Sequence, residues 1–461
     1  MKRTNDLGRD PILPLVLKLA IPTMLAQLVS VLYSIVDRMY IGNIPAVGDL
    51  ALAGVGVCGP IVTLVASFAS LVGLGGSPIM AMRMGEGNME EAHSILWNCF
   101  ALLTGLSLAL TAVFLLLKDL LLMWFGASPA TFPYADQYLT VYLLGTFFAL
   151  LSTGMNSFLI CQGFSGLGMA TVMLGAVMNI ILDPVFIFTL DMGVAGAALA
   201  SVLSQATSCA FVLWSLLRNK TPVPLRKRSL SRNVAKRALL FGLSPFLIIA
   251  TDSVLLIILN SVLQRYGGPG EGDALVTCAT IVQSYFLLIT MPMGGITLGC
   301  QPIISFNYGA GNADRIRKAM KCIVGLCILF CGFMLLMTHL ASPVFVSLFT
   351  KSEILAPRSV RLIKVFTLGI LFLGVQYPLV DETTALGQVR VALFCSLFRK
   401  GIFTAALFLL PFFFGAEATF FAEPLADVIA ATNTTILFAR FFPRTLAFRA
   451  RELSEQAHPV R

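Results

Sequence analysis

The chain has 461 residues, of which 57% are hydrophobic and 12% charged, and its formal net charge is +9. Soluble proteins carry about 25% charged residues, so this composition excludes an ordinary soluble domain and indicates an integral membrane protein. The positive charge does not indicate nucleic-acid binding, because the basic residues gather in alternate loops between apolar segments.

Apolar segments long enough to cross a membrane recur along the whole chain. A helix of about 20 apolar residues spans the bilayer hydrocarbon and satisfies its own backbone groups there. The first segment is too long for a cleaved signal peptide and carries a charged pair near its far end, so we expect it in the mature protein. The sequence predicts twelve spans, at residues 14–41, 50–82, 94–117, 135–160, 167–190, 193–217, 238–263, 274–306, 322–349, 362–386, 391–414 and 416–439.

The first predicted span contains a proline and an acid. Pro22 lacks an amide hydrogen and frees the carbonyl of Lys18, so we predict a hinge there. Asp37 follows near the outer end of the span. An ionisable group in hydrocarbon costs roughly 2.5–3.5 kcal/mol on insertion scales, so Asp37 is a candidate functional residue.

The fifth predicted span contains the sequence NIILDPVFIF at 179–188. Asn179 and Asp183 are four residues apart and share one face of a helix. Pro184 leaves the carbonyl of Ile180 without its usual donor, which predicts a second hinge. An amide, a carboxylate and a free carbonyl therefore converge on one helical turn.

Asp37 and Asp183 can share one site. Both spans run outward, and both acids lie within about 10 Å of the same interface. Two carboxylates in a low-dielectric pocket do not both stay charged, so we expect a proton, or a cation such as Na⁺, to bind there. The alternative is that Asp183 forms hydrogen bonds within the helix bundle and no ion takes part.

The basic loop at 218–237 sets the predicted orientation. By the positive-inside rule this loop is cytoplasmic, and six spans on either side place both termini in the cytoplasm. Basic residues near 350–364 disagree with the majority. The predicted organisation is a cytoplasmic N-terminus (1–13), an N-lobe of six spans (14–217), the linker (218–237), a C-lobe of six spans (238–439) and a cytoplasmic tail (440–461). The basic residues that support it are Lys2, Arg3 and Arg9, then Arg218, Lys220, Arg226, Lys227, Arg228, Arg232, Lys236 and Arg237, then Arg440, Arg444, Arg449 and Arg451.

Self-similarity divides the chain into two related halves. The segment GGSPIMAMRMGEGN at 75–88 recurs as GCQPIISFNYGAGN at 299–312. Because each half has an even number of helices, both have the same orientation, related by a pseudo-twofold axis along the membrane normal, with a cleft between them. The predicted fold is thus an all-α integral membrane protein of two six-helix bundles. Further matched landmarks are Asp49 with Asp273, Gly145 with Gly369, Gly163 with Gly387 and Pro22 with Pro245.

The second half keeps the landmarks but not the acid pair. Asp37 matches Asn260, and Asp183 matches Leu407. Packing needs that both halves share therefore do not require the two acids, which favours a functional role for them in the first half.

The second half has polar groups of its own. Asp252, Asn260 and Asp381 form a candidate C-lobe polar site, with helix packing as the alternative for Asp252. For Asp381 and its neighbour Glu382, near the inner end of span 10, the alternative is that they merely face water. Arg399 and its basic neighbour lie near the predicted cytoplasmic start of span 11, where we expect long basic side chains to reach the interface as anchors. The basic neighbour of Arg399 is Lys400.

The sequence has no HExxH, Walker A or GxSxG motif, which argues against an ATP-driven pump and an intramembrane metalloprotease. We predict that the chain is not an enzyme and has no cofactor. The ten cysteines are scattered, and we interpret them as small packing residues.

The chain resembles the multidrug and toxic compound extrusion (MATE) family, in particular its MepA-like branch. The similar stretches follow one another over essentially the whole chain. They are IVDRMYIG (35–42), LALAG (50–54), SPIMAMRMGEGN (77–88), NIILDPVFIF (179–188), GVAGAALASVLSQ (193–205), QPIISFNYGAGN (301–312), TALGQ (384–388) and SLFRKG (396–401).

This resemblance implies a secondary antiporter that exports cationic or amphipathic compounds in exchange for H⁺ or Na⁺ by alternating access of the central cleft. The cation-binding cluster it implies is Asp37, Asn179, Asp183 and Ser201, where Ser201 replaces a commoner threonine. Pro22 matches a helix-1 proline whose bending is linked to ion binding. The resemblance also implies a multi-pass plasma-membrane protein that acts on small molecules, and we expect a monomer.

Three alternatives remain open at the sequence level. A lipid or lipid-linked saccharide flippase of the same wider superfamily would present several basic residues in the cleft, whereas Arg38 is nearly alone. A major-facilitator transporter would have a basic motif after helix 2, but that loop reads MGEGNMEEAH. A receptor or scaffold would need neither paired halves nor buried acids.

Overall fold

A computed structural model describes residues 5–45, 47–125, 127–218, 221–268, 271–350 and 352–457. Within these residues the structure is helical, without a β-strand. The basic residues Lys2, Arg3, Lys220 and Lys351 lie outside the described residues, as does the tail beyond 457. The α-helices are α1 (Ile12–Gly42), α2 (Gly48–Gly85), α3 (Met89–Trp124), α4 (Phe132–Leu144), α5 (Thr146–Cys161), α6 (Ser165–Pro184), α7 (Gly193–Leu217), α8 (Arg232–Gly267), α9 (Glu271–Gly309), α10 (Ala313–Ser347), α11 (Leu355–Phe366), α12 (Ile370–Ala385), α13 (Val389–Phe414) and α14 (Ala422–Ala457).

These helices provide the twelve predicted spans. In the described part, ten helices are long and apolar enough to cross a membrane, and two bent pairs, α4 with α5 and α11 with α12, complete the twelve. The sequence predicted continuous helices at 135–160 and 362–386, but these two spans bend by 56° and 51°. The all-α fold with twelve spans is confirmed.

Both bends occur at repeat-matched glycines. Gly145 separates α4 from α5, and Gly369 precedes α12. A Cβ on Gly369 would lie 2.7 Å from Pro424 Cα, and a Cβ on Gly145 would overlap the side chain of Val202. Neighbouring helices therefore pack directly on the backbone at both breaks, which only glycine permits.

The two halves contact each other through reciprocal glycines. A Cβ on Gly85 of α2 would overlap the carbonyl of Phe306 in α9, and a Cβ on Gly309 of α9 would overlap the carbonyl of Met82 in α2. The repeat matches Gly85 with Gly309 and Met82 with Phe306. A contact that maps onto itself when the halves are exchanged is the property of a twofold interface, in agreement with the predicted pseudo-twofold relation.

Each lobe has its own hydrophobic core, and the first helix of each lobe begins in the core of the other. Leu15, Val16 and Leu19 of α1 pack with the C-lobe core, whereas Ile41 at the end of α1 packs with the N-lobe core. Ala238 near the start of α8 packs in the N-lobe core. α1 therefore passes from one lobe to the other along its length.

The close contacts between lobes gather at one end of the bundle, which we call the linker side. It carries the linker at 221–231, which packs on the start of α3 through bonds from His93 and Asn98, and the loops at 86–88 and 310–312. In the opposite half of α2, a Cβ built on Gly56 or Gly59 would meet no described atom of a neighbouring segment within 4 Å. The lobes are thus tightly joined at the linker side.

Candidate functional site

The N-lobe brings three of the four predicted site residues together. Asn179 Nδ2 on α6 donates a hydrogen bond to Asp183 Oδ1 at 3.2 Å, as their spacing predicted. The carboxyl of Asp37 on α1 lies within hydrogen-bonding reach of the Asp183 carboxyl. Asn179 and Asp183 are fully buried, and Asp37 is partly buried.

Three oxygens of this cluster are buried without a hydrogen-bond partner among the described residues: Asp37 Oδ1, Asn179 Oδ1 and Asp183 Oδ2. Orphaned buried polar atoms are rare and costly. Oxygen atoms of this kind suit a proton between the carboxyls or a hard cation such as Na⁺. The cluster therefore has the chemistry of a coupling site for a small cation.

Ser201, the fourth predicted residue, lies on α7 and is half-buried. No hydrogen bond joins its hydroxyl to Asp37, Asn179 or Asp183 in the part of the chain that the structure describes. Its place in the cluster stays a prediction.

Both predicted hinges coincide with irregular hydrogen bonding. After Pro184, α6 continues as a π-helical turn, Val185–Thr189, with Leu190 N donating to Val185 O. π-Helical turns are rare and often occur at functional sites. α1 continues through Pro22, and Ser165 Oγ of α6 donates to the carbonyl of Lys18.

Aromatic side chains on α4 adjoin the site, and the sequence interpretation missed them. Tyr138 lies within electrostatic range of Asp37, and its ring stacks on that of Tyr142 with centroids 6.1 Å apart. Gln205 of α7 donates to the Tyr142 hydroxyl at 3.4 Å. Tyr134, Tyr138 and Tyr142 are spaced by four residues, a one-face pattern that could have identified them.

In the C-lobe, the three predicted polar residues do not form one hydrogen-bonded site among the described residues. Asp252 on α8 has a side chain 62% exposed and pairs with Lys400 Nζ at 2.7 Å. Asp381 accepts a hydrogen bond from Thr297 at 2.6 Å. Asn260 is half-buried on α8. Their joint role stays a prediction.

The interpretation of Arg399 and Lys400 as interface anchors was wrong. The Lys400 side chain is 8% exposed and donates to the carbonyl of Ile248 as well as binding Asp252. Arg399 is 19% exposed and pairs with Glu423 and Asp427 of α14. Both cations are held inside the lobe because acids on neighbouring helices compensate them, which a single-span pattern does not reveal.

Glu382 does not face water either. Its side chain is fully buried on α12, and neither carboxyl oxygen has a hydrogen-bond partner in the described part of the chain. Its neighbour Asp381 has its partner on α9. The helix turns this pair of acids into the lobe instead of toward the interface.

Comparisons with known proteins identify the family. The sequence model of the MatE family matches residues 22–185 and 246–410, the two halves of the repeat. The chain belongs to this family. The predicted MATE resemblance is confirmed, and the chain is a multi-pass membrane protein of a transporter family.

The relatives and solved structures cover nearly the whole MATE chain. The multidrug export protein MepA of Staphylococcus aureus (strain N315) is 22% identical over 434 residues, 93% of this chain and 94% of its own. MepA of Staphylococcus haemolyticus is 24% identical over 417 residues, 89% and 90% of the two chains. A multidrug resistance MATE family transporter of the MOP superfamily, solved in an outward-facing conformation, superposes with a TM-score of 0.89 at 23% identity, covering 97% of this chain and all of that one. At this identity the superposition establishes the shared fold.

Proposed function

We propose that this MATE protein is a secondary antiporter that exports cationic or amphipathic small molecules in exchange for H⁺ or Na⁺. The observation that carries the proposal is the pair of partly buried Asp37 and fully buried Asp183, steadied by Asn179, with three oxygens that have no hydrogen-bond partner among the described residues. Such a cluster inside a membrane costs free energy unless a cation or proton completes it. Export of drugs is suggested by the MepA relatives, which are multidrug export proteins.

The proposed mechanism is alternating access. A proton or Na⁺ that enters from outside binds between the two carboxyls, bends α1 at Pro22 and narrows the outward cleft, so that the drug leaves. The lobes then rock apart at the linker side, where the ion is released and the next drug binds. Each unit charge that crosses 100 mV contributes about 2.3 kcal/mol to this cycle.

The lipid-flippase alternative is less well supported. A pyrophosphate group would require cationic side chains free to bind it. The buried basic residues described above, Arg399 and Lys400, are each already compensated by acids of the C-lobe.

The test is the substitution Asp183→Asn, with Asp191→Asn as the matched control. Asp183 is buried in the site, whereas Asp191 is exposed in the adjacent loop with a φ of 51° that asparagine also adopts. In vesicles with an imposed H⁺ or Na⁺ gradient, Asp183→Asn should abolish gradient-driven drug efflux, and Asp191→Asn should transport like the wild type. Normal coupled efflux by Asp183→Asn would overturn the proposal. Dissipating each gradient separately identifies the coupling ion.

The proposal also covers the membrane location and orientation of the chain. We place the chain in the plasma membrane with the linker side and both termini in the cytoplasm, because the basic linker packs at that end. We propose the same order of N-lobe, linker and C-lobe, although α8 begins at Arg232, within the predicted linker, and α14 extends to Ala457, within the predicted tail. Two lobes within one chain enclose the cleft, so a monomer suffices for the cycle, and Asp252, Asn260 and Asp381 are proposed as accessory polar residues.

A further inference from the structure

The carbonyl that Pro22 frees is hydrogen-bonded by another helix. In a regular α-helix the carbonyl of Lys18 accepts from the amide of residue 22, which proline lacks. Ser165 Oγ, at the first residue of α6, donates to this carbonyl at 3.2 Å. Ser165 is 1% exposed, so the donor hydroxyl is buried. α6 thus replaces the donor that α1 lost.

The same two helices meet again at the ion site. Lys18 and Asp37 are 19 residues apart on α1, and Ser165 and Asp183 are 18 residues apart on α6. At a rise of about 1.5 Å per residue, the two helices advance by nearly equal lengths, ~28 Å, between the two contacts. Both contacts can therefore be made together while α1 is straight. A bend at Pro22 changes the path of α1 between these points, so we expect that one contact is lost.

The contact between Ser165 and the Lys18 carbonyl also lies where the two lobes meet. Residues of α1 before Pro22 pack in the C-lobe core, whereas Ser165 belongs to α6 of the N-lobe. At the next residue of α1, a Cβ on Gly299 of α9 would lie 2.5 Å from the carbonyl of Leu19. The turn that contains the hinge is therefore held between a hydroxyl of one lobe and the backbone of the other.

We propose that Ser165 is a positioning residue that stabilises straight α1, and that it thereby sets how much ion is needed at Asp37 and Asp183 to bend the helix and loosen the lobes. This inference rests on the proposed antiport function. Bending leaves the Lys18 carbonyl without Ser165, so the ion must supply the free energy of one buried hydrogen bond. Without the hydroxyl, α1 bends at a lower ion concentration.

The variants separate the hydroxyl from its surroundings. Ser165→Ala removes the donor, Ser165→Thr keeps it, and Ser165→Cys provides a weaker donor of similar size. The matched control is Ser204→Ala, because Ser204 is also buried but donates at 2.7 Å to the carbonyl of Ala200 in its own helix. Ser204→Ala therefore removes a buried hydroxyl without touching α1.

The measurement is the distance between spin labels at Leu32 on α1 and Leu116 on α3, both of which are exposed. Non-canonical spin-labelled amino acids avoid the ten native cysteines. In the wild type, the ratio of straight to bent α1 should titrate with pH or Na⁺. Ser165→Ala should lower the ion concentration at the midpoint roughly three- to tenfold, the equivalent of a typical buried hydrogen bond, which for protons is a shift to higher pH. Ser165→Cys should fall between, and Ser165→Thr and Ser204→Ala should follow the wild type.

The outcomes distinguish this inference from the proposed function. A wild-type ratio that responds to neither ion would overturn the ion switch, yet Ser165→Ala should still raise the bent fraction at fixed pH. A Ser165→Ala ratio equal to that of the wild type would overturn the role of Ser165 while leaving the antiporter intact. Loss of the response in Ser204→Ala as well would show a general packing effect and would also overturn it.

Discussion

At the scale of single residues, the Arg399 cluster of the C-lobe and the Asp37–Asp183 pair of the N-lobe differ in how their charges are compensated. In the C-lobe, Arg399 binds Glu423 and Asp427, so the charges compensate one another. In the N-lobe, Asp37 and Asp183 lie close together; the exposed Arg38 acts on Asp37 electrostatically, but no ion pair to either acid is formed among the described residues. Compensated charges add to the scaffold, whereas an uncompensated pair can gain or lose a cation at low cost. This difference separates the candidate ion site from the Arg399 cluster, whereas Glu382 of the C-lobe is also buried without a hydrogen-bond partner among the described residues.

Arg399→Met tests the structural role of the C-lobe cluster. It leaves Glu423 and Asp427 buried without their cation, so we expect a loss of about 3–5 kcal/mol of stability. The measurement is the thermal unfolding midpoint in detergent. The control is Arg361→Met, because Arg361 is 63% exposed and pairs with Glu417 at the surface, where ion pairs contribute at most ~1 kcal/mol. Equal midpoints for the two variants would contradict a buried structural cluster.

At the scale of elements, two bent spans and one extended helix determine how neighbouring helices pack. Gly145 and Gly369 allow two spans to bend where neighbouring helices rest on the backbone. α14 continues well beyond the predicted membrane boundary and reaches the linker side, where Arg449 contacts both lobes. Its guanidinium binds Glu86 after α2 and donates to the carbonyls of Tyr308 and Gly309 of α9. The last helix therefore holds the lobes together at the end that opens in the proposed cycle.

Arg449→Met should weaken this fastening. We expect faster amide hydrogen exchange in the loops at 86–88 and 310–312, because Glu86 and the carbonyls of Tyr308 and Gly309, just before the second loop, lose a charge-assisted hydrogen-bond partner. Hydrogen-exchange mass spectrometry measures the effect. The control is Arg317→Met, since Arg317 lies on the same side but forms only an exposed pair with Asp314 at 2.9 Å. Unchanged exchange in Arg449→Met would show that α14 does not hold the lobes.

At the scale of the whole molecule, the lobes meet through a symmetric contact of bare backbone. Gly85 lies against Phe306, and Gly309 lies against Met82. Because the contact leaves no room for a Cβ, the closed linker side depends on glycine at both positions. An alternating-access cycle requires this interface to form and separate in every turnover.

Gly309→Ala should therefore prevent full closure of the linker side. The added methyl overlaps the Met82 carbonyl, so the lobes must stand apart and efflux in vesicles should fall at least roughly tenfold, the effect of about 1.4 kcal/mol on the closed state. The control is Gly325→Ala on α10, where a Cβ meets nothing within 4 Å. Wild-type efflux by Gly309→Ala would contradict the need for this contact.

The amino-acid sequence alone predicts the membrane environment, the number of spans, the internal repeat and the shared helix face of Asn179 and Asp183. These properties follow from local composition and from helical periodicity, so no partner helix is needed to see them. Helix packing establishes which acids are compensated, because the one cation that binds both Glu423 and Asp427 is Arg399 of another helix. It also establishes that the Lys18 carbonyl is bound by Ser165, 147 residues away. A free carbonyl can be read from a proline, but its partner depends on how the helices pack.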